Sequence, residues 1–358
     1  MSVERILIHG TTAQRMATTP ALGQIGSDDD TRQVVVGDGV TPGGIPMARA
    51  DQIISALETR ARVSLASGIA ITESDIAGAT TVYVVPAGHN LTPLWDGTKD
   101  VVKAYSSLSI TLDATNAPLW NNFDVWLGVS GGNVVCGYGP PWTAGAVAGS
   151  DSARGTGTGS TELELFNGRL VNKNAITIRR NNSTIYSIPA RQANLVGGFR
   201  TNGNGFTEDS AANRLVWSVL GAPRFGKVVD TTDNWVYSAS AYRQFRGSAS
   251  NRFAYFQGLG GRPLVAAVSA CVGTTNTANV GIGVGIDSTT VNSATLFPFY
   301  TISSVKNEYI NASYRGIPGI GYHEIWPLEK GGGTAETQTW LGDATGLVQT
   351  GMTCEVTL

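Results

Sequence analysis

The sequence predicts a mainly β protein, and three observations carry that expectation. Glycine supplies 45 of 358 residues, about one in eight against a usual ~7%. Charged residues make up only 15%, well under the usual ~25%. From Thr80 onward, short runs rich in Val, Ile, Thr and aromatics are separated by Gly, Pro, Asn and Asp breakers, at roughly the 8–12-residue spacing of sandwich strands. With 42% hydrophobic residues and a net charge of −2, the chain has the material for a core and not the composition of disorder. The expected organisation is a small N-terminal β module (1–46), a helix and connector (47–77), and two antiparallel β-sandwich or jelly-roll-like domains (78–205 and 206–358).

In the module, Ile6-Leu-Ile8 is a short apolar strand. Thr11 or Thr12 can cap a brief helical turn through Gln14 and Met16, which Pro20 closes. Val34-Val-Val36 forms a second strand. It is entered through Asp28-Asp29-Asp30-Thr31 and left through Gly37-Asp38-Gly39, residue types that make Asx turns or tolerate positive φ. Three consecutive aspartates lack the alternating spacing of a calcium loop, so they read as a solvated Asx turn.

Residues 47–66 predict the one helix. Pro46 precedes it, and Ala50, Ile54, Leu57, Ala61 and Leu65 recur at spacings of three and four. At about five turns it is too short to stand alone. It packs on its own chain, or three copies pack in parallel about a shared axis; the spacing leaves both open.

The β region offers Thr81–Val85, Leu108–Leu112, Val125–Leu127, Val134–Cys136 and Ile176–Ile178 as first strands. Leu215–Val219, Trp235–Tyr237, Phe253–Phe256, Leu264–Val268 and Val280–Ile286 follow, with further strands between Trp340 and Leu358. In Val280–Ile286, Gly occupies alternate positions, which lets another backbone approach one face closely. Residues 143–160 read as a flexible linker by composition.

Two resemblances add to this. Arg5-Ile-Leu-Ile-His-Gly-Thr-Thr-Ala-Gln14, Gly23-Gln-Ile-Gly26, the Asp-Thr turn, Gly37-Asp38-Gly39 and Ile45-Pro46 resemble the N-terminal module at the head of bacteriophage tail fibres and tropism proteins. Gln24 departs from it, since the module commonly has an acid there. The β region is similar to a phage structural protein type. That similarity runs through Leu94-Trp-Asp-Gly-Thr98, Gly137-Tyr-Gly-Pro-Pro-Trp142, Arg154-Gly-Thr-Gly157, Tyr314-Arg-Gly-Ile-Pro-Gly-Ile-Gly-Tyr-His323 and Gly342-Asp-Ala-Thr345. It implies that 143–160 is a long loop within one domain. Together the resemblances imply a virion protein on tail or head, attached to other virion proteins through 1–46. The type brings no agreed catalytic or ligand-binding residues.

The residues themselves predict no catalytic, cofactor or metal site. His323 and Glu324 adjoin in a strand and point to opposite faces. No His/Cys cluster has zinc spacing. Asp96, Asp124, Glu208, Asp209, Asp287, Glu324 and Asp343 offer no marked pair for glycoside cleavage. Gly281-Ile-Gly-Val-Gly285 lacks the helix that should follow a dinucleotide fingerprint. A pI of about 6.0 without a basic stripe predicts no nucleic-acid binding. No apolar run reaches the length of a membrane-spanning helix, and the start of the sequence does not read as a signal peptide. Cys136, Cys271 and Cys354 read as buried free thiols, in keeping with folding in a reducing bacterial cytoplasm. Of the eight tryptophans, Trp126, Trp217 and Trp235 lie within strands and read as core. Trp95 and Trp340 adjoin turns and are the candidates to stack on a sugar. The expectation is a non-enzymatic, homotrimeric fibre or spike that contacts host surface polysaccharide, with a capsid decoration protein or a depolymerase tailspike as rivals.

Overall fold

A computed structural model describes residues 8–22, 24–28, 33–47, 58–142, 153–297, 299–303, 306–333, 337–343, 346 and 348–358. The protein is mainly β, with several antiparallel sheets and a single five-residue α-helix among the described residues. Its chain divides into two compact units, Met1–Glu58 with Thr92–Lys103, and Thr59–Leu91 with Ala104–Leu358.

In the first unit, strands Ile8–Gly10, Ile25–Asp28, Gln33–Val36 and Ile45–Pro46 form one sheet in that order. The first pair is parallel and the others antiparallel. The helix Thr12–Met16 is capped by Thr11, with Gln14 closing a reciprocal capping box. The Gly37-Asp38-Gly39 turn forms as expected. Asp38 accepts from the Val40 and Thr41 amides at 3.0 and 2.7 Å and from the Thr41 hydroxyl at 2.6 Å. These donors hold its carboxyl down at about 2.

Asp28 corrects the solvated-turn expectation. It is completely buried and accepts from Thr12 Oγ1 at 3.0 and 2.9 Å and from Arg15 Nε at 2.8 Å. Arg15 Nη1 then donates to the Gly43 carbonyl at 2.5 Å. A Cβ at Gly43, whose φ is +78°, would come 2.7 Å from that nitrogen. Strand alternation explains the burial: Gly26 and Asp28 face inward, while Ile25 faces solvent. Asp29 and Asp30 lie outside the described residues.

The helix expected over 47–66 is also corrected. Ala61–Ser64 is a strand, antiparallel to Thr81–Pro86, with Ala61 opposite Pro86 and Val63 opposite Val84. Positions four apart share a face in a strand as well as in a helix, so Ala61 and Leu65 could not discriminate. Val63 does: it shares their face only in a strand, and all three are buried in one core. Ala61 and Leu65 are therefore not residues of an axial bundle. Ala50, Ile54 and Leu57 lie outside the described residues.

In the second unit, the sheet of Leu108–Thr111, Thr81–Pro86 and Ala61–Ser64 packs on strands Asn122–Ser130, Asn133–Pro141 and Ala193–Gly203. Val63, Val82, Val84 and Ile110 meet Phe123, Val125, Leu127, Val196 and Phe199 there. The central strands are buried on both faces: Trp126 and Leu195 point the other way, into a second and larger core. That core runs on to Phe253, Leu264, Val280, Ile325 and Met352.

The expected boundary between 205 and 206 is therefore not a domain boundary. Ala193–Gly203 turns through Asn204-Gly205 and pairs with Phe206–Asp209. Gly205 takes φ +79°, as Asn-Gly hairpin turns do. One hydrogen-bonded sheet continues through Asn213–Arg214, Phe253–Gln257, Gly321–Lys330, Ala278–Ile286 and Phe299–Ile302. Against it lies a second sheet of Pro223–Val229, Gly351–Thr357, Leu264–Thr274, Gln338–Leu341 and Asn234–Val236, with Asn307–Gly316 on the free side of 264–274. Leu264, Ala266, Val268, Met352, Cys354 and Val356 face inward; Val265, Ala267, Thr353 and Glu355 face out. The two sheets make a sandwich over a shared apolar interior.

The glycine face of 278–286 is used as expected. A Cβ on Gly283 would sit 2.5 Å from Asn292 Oδ1, and one on Gly285 2.0 Å from the Ser288 carbonyl. The 288–293 segment crosses there, held by Ser293 N to Val284 O at 2.7 Å. The three cysteines are buried and free, and burial pushes the Cys136 thiol up to about 12.

Candidate binding groove

Trp340 is fully buried, which removes it as a sugar contact. It lies opposite Trp235 and Val272 in neighbouring strands, and its Nε1 donates to the Tyr237 carbonyl at 3.1 Å. The turn that follows it in sequence does not expose it, because its strand lies inside the sheet. Trp126, Trp217 and Trp235 are core residues, as expected. Trp95 is half-buried at the end of Leu91–Trp95, beside a turn in which Asp96 accepts from Thr98 and Lys99 amides at 2.8 Å. It remains a surface candidate, in the first unit.

The described end of the 143–160 segment is fastened. Arg154 forks onto the fully buried Asp124 at 2.7 and 3.1 Å, donates to the Gly258 carbonyl at 2.6 Å and stacks 4.1 Å from the Trp142 ring. Residues 153–160 are thus held to the same body as Asp124, Trp142 and Gly258.

Polar clusters account for several acids. His323 is buried and Glu324 half-buried, on opposite faces of their strand. The partner that sequence reasoning missed is Asp287. Its carboxylate takes His323 Nδ1 at 2.8 Å and the Glu324 amide at 2.8 Å, from a backbone with φ +53°. Glu329 is fully buried beneath Trp235 Nε1 (2.5 Å), Arg243 Nε (2.7 Å) and the Arg246 amide (3.0 Å). Burial outweighs these donors and pushes its carboxyl up to about 7. Asp209 is shared by Arg214 and Arg224. Each acid is occupied in joining strands or turns. No cluster of three metal-ligating side chains occurs among the described residues.

What the structure does present is a groove of about 710 Å³ on the outward face of the second sandwich sheet. Its floor follows from register. Lys227, Thr353, Ala267 and Ser313 lie side by side across four strands, and Val229, Gly351, Ser269 and Asn311 form the next row. Apart from Lys227 and Val229 at one edge, the floor residues are small, so the walls stand above them. Leu296 and Phe297, 71% and 55% exposed, make one wall. That wall is tied to the sheet edge by Leu296 N to Ser313 O at 3.1 Å and Ser313 N to Leu296 O at 2.8 Å. Lys227 and Gln349 stand at the other side. The surface combines an apolar wall with hydroxyl and amide groups at Ser269, Asn311, Ser313, Gln349 and Thr353. That is the mixture by which a site covers a sugar ring's apolar face and satisfies its hydroxyls. None of these residues was singled out by sequence, because five distant segments contribute them and none forms a motif.

No protein-family model matches the chain, and no curated protein does. Among solved structures, the U1 variant of Major Tropism Determinant superposes with a TM-score of 0.31 at 18% identity, covering 70% of this chain and 55% of that one. Its M1 variant gives 0.30 at 18% identity over the same shares. The insecticidal delta-endotoxin Cry8Ea1 from Bacillus thuringiensis gives 0.23 at 6% identity, covering 83% of this chain and 51% of that one. The chain thus spans about half the length of these structures. At such scores the likeness decides neither fold nor function.

Proposed function

We propose that the chain is a non-enzymatic bacteriophage virion protein that contacts host surface polysaccharide through the groove on its outer sandwich sheet. The groove carries this reading: it is a preformed concave surface with an apolar wall, a floor of small hydrogen-bonding side chains, and no carboxylate among its described lining residues. The order of turns in 1–46 supports an attachment role for the first unit, towards other virion proteins. Asp28, Arg15 and Gly43 give that small module an internal fastening. Adhesion is multivalent, each contact being weak and the copies on one particle supplying effective concentration. A homotrimer is one way to present them, although the stripe that suggested it has lost Ala61 and Leu65 to the core.

The test is retention of the purified full-length chain on immobilised bacterial capsular polysaccharides, compared with Ala267→Trp. The substitution fills the floor from an exposed position, so the fold should survive. Retention of the native chain and loss in the variant is the expected result. Equal retention of both removes the groove from the function. A chain that coats isolated capsids and retains no polysaccharide is a decoration protein. New reducing ends after incubation would show a depolymerase.

A further inference from the structure

We propose that the groove takes an acidic polysaccharide, with Lys227 holding a sugar carboxylate while Leu296 and Phe297 cover the apolar face of the ring. This rests on the reading of the groove as the receptor surface. Charge complementarity favours this occupant. Lys227 is the one charged residue among the described residues that line the groove. It is exposed, and its strand points it outward between Phe225 and Val229. No carboxylate of a described residue lies within ion-pair distance of its ammonium group. Glu355, the nearest acid in register, lies one row away opposite Phe225 and Val265, outside the lining. A groove with a cation and no acid selects an anion, and a flat apolar wall with amide and hydroxyl groups suits a sugar better than a bare ion.

The dimensions agree. From the Lys227 strand to the Ser313 strand there are three inter-strand steps, about 14 Å at ~4.8 Å each. A short run of sugars can therefore lie across the strands with its carboxylate at Lys227 and a ring against Phe297. Neutral hydroxyls fall over Ser269, Ser313 and Thr353. A charge-assisted contact at one end and apolar contact at the other fixes the direction in which the chain lies.

The experiment uses the full-length protein and capsular polysaccharides of two kinds, neutral and uronic-acid-bearing, with each acidic one also supplied after chemical reduction of its carboxyl groups. The native chain, Lys227→Gln, Lys227→Arg and Ala267→Trp are compared by biolayer interferometry. Retention on uronic-acid-bearing material is expected. Carboxyl reduction should weaken it by about tenfold or more, and Lys227→Gln by a similar factor, the scale of one charge-assisted hydrogen bond. Lys227→Arg should stay near the native chain, because it keeps the charge. If Ala267→Trp abolishes binding while Lys227→Gln and carboxyl reduction leave it unchanged, the groove binds a neutral sugar and the present proposal fails alone. If Ala267→Trp has no effect, or no polysaccharide is retained, the groove reading fails with it.

Discussion

Replacing Arg154 with Ala tests most sharply whether residues 153–160 are fastened to the body that holds Asp124. The side chain forks onto Asp124, whose carboxylate is wholly shielded from water, and caps the Gly258 carbonyl over the Trp142 face. Truncation leaves a buried carboxylate without its counter-ion. Breaking a buried pair in this way costs about 3–5 kcal/mol, and the lost ring contact adds roughly 0.5–1 kcal/mol. A body of this size has about 5–15 kcal/mol in hand, so the variant should fold but unfold early. With an m-value near 3 kcal/mol/M, the urea midpoint should fall by about 1 M or more. Lys at 154 keeps the charge without the planar fork, so it should recover part of the loss. A double-mutant cycle with Asp124→Asn isolates the pair and should show coupling of about 2 kcal/mol. A midpoint shift under 0.2 M (about 0.6 kcal/mol at that slope), or zero coupling, would mean that Arg154 fastens nothing and return 153–160 to the status of a linker.

Other consequences are more local. Asp28→Asn puts an amide against the donors of Arg15 and Thr12. It should speed hydrogen exchange in 25–28 and 33–36 by about a hundredfold, on a cost of about 3 kcal/mol, while leaving 264–274 unchanged. Leu65→Ala should cost about 2–5 kcal/mol of unfolding free energy at every protein concentration, without altering the oligomer distribution in mass photometry. A concentration-dependent loss of oligomer would instead favour the axial helix. Glu329 binds its proton more tightly in the fold, at about 7 against an ordinary 4.5. Its contribution to stability therefore falls as pH rises from about 4.5 through 7, by on the order of 3 kcal/mol. Glu329→Gln should flatten that slope in melting curves taken between pH 5 and 8, and an unchanged slope would show that another group sets it.

Where the sequence was legible, the signal was local. The Thr11 cap, the Asp38 turn, the Leu108–Thr111 alternation and the glycine face of 278–286 each depend on residues a few positions apart. Where it misled, the deciding partner was remote. Ala61 and Leu65 fit helix and strand alike until Val84 supplied the pairing. Asn204-Gly205 marks a turn, and a turn and a domain boundary look the same in one dimension. Asp28 sits in a charged run, yet its alternation turns it inward to Arg15. Trp340 adjoins Gly342 but lies within a sheet. The groove was hidden for the same reason: Lys227, Ala267, Ser313 and Thr353 become neighbours only when four strands align. Its small floor residues carry no motif.

If the outer sandwich sheet is the receptor surface, a bound polysaccharide must shield it from solvent. Hydrogen–deuterium exchange of the full-length chain, with and without a retained polysaccharide, tests it directly. Slowed exchange is expected in 227–229, 267–269, 311–313 and 351–353 together with the 296–297 wall, and nowhere else. Protection centred on the Trp95 turn or on residues 33–47, with the groove unchanged, would contradict it.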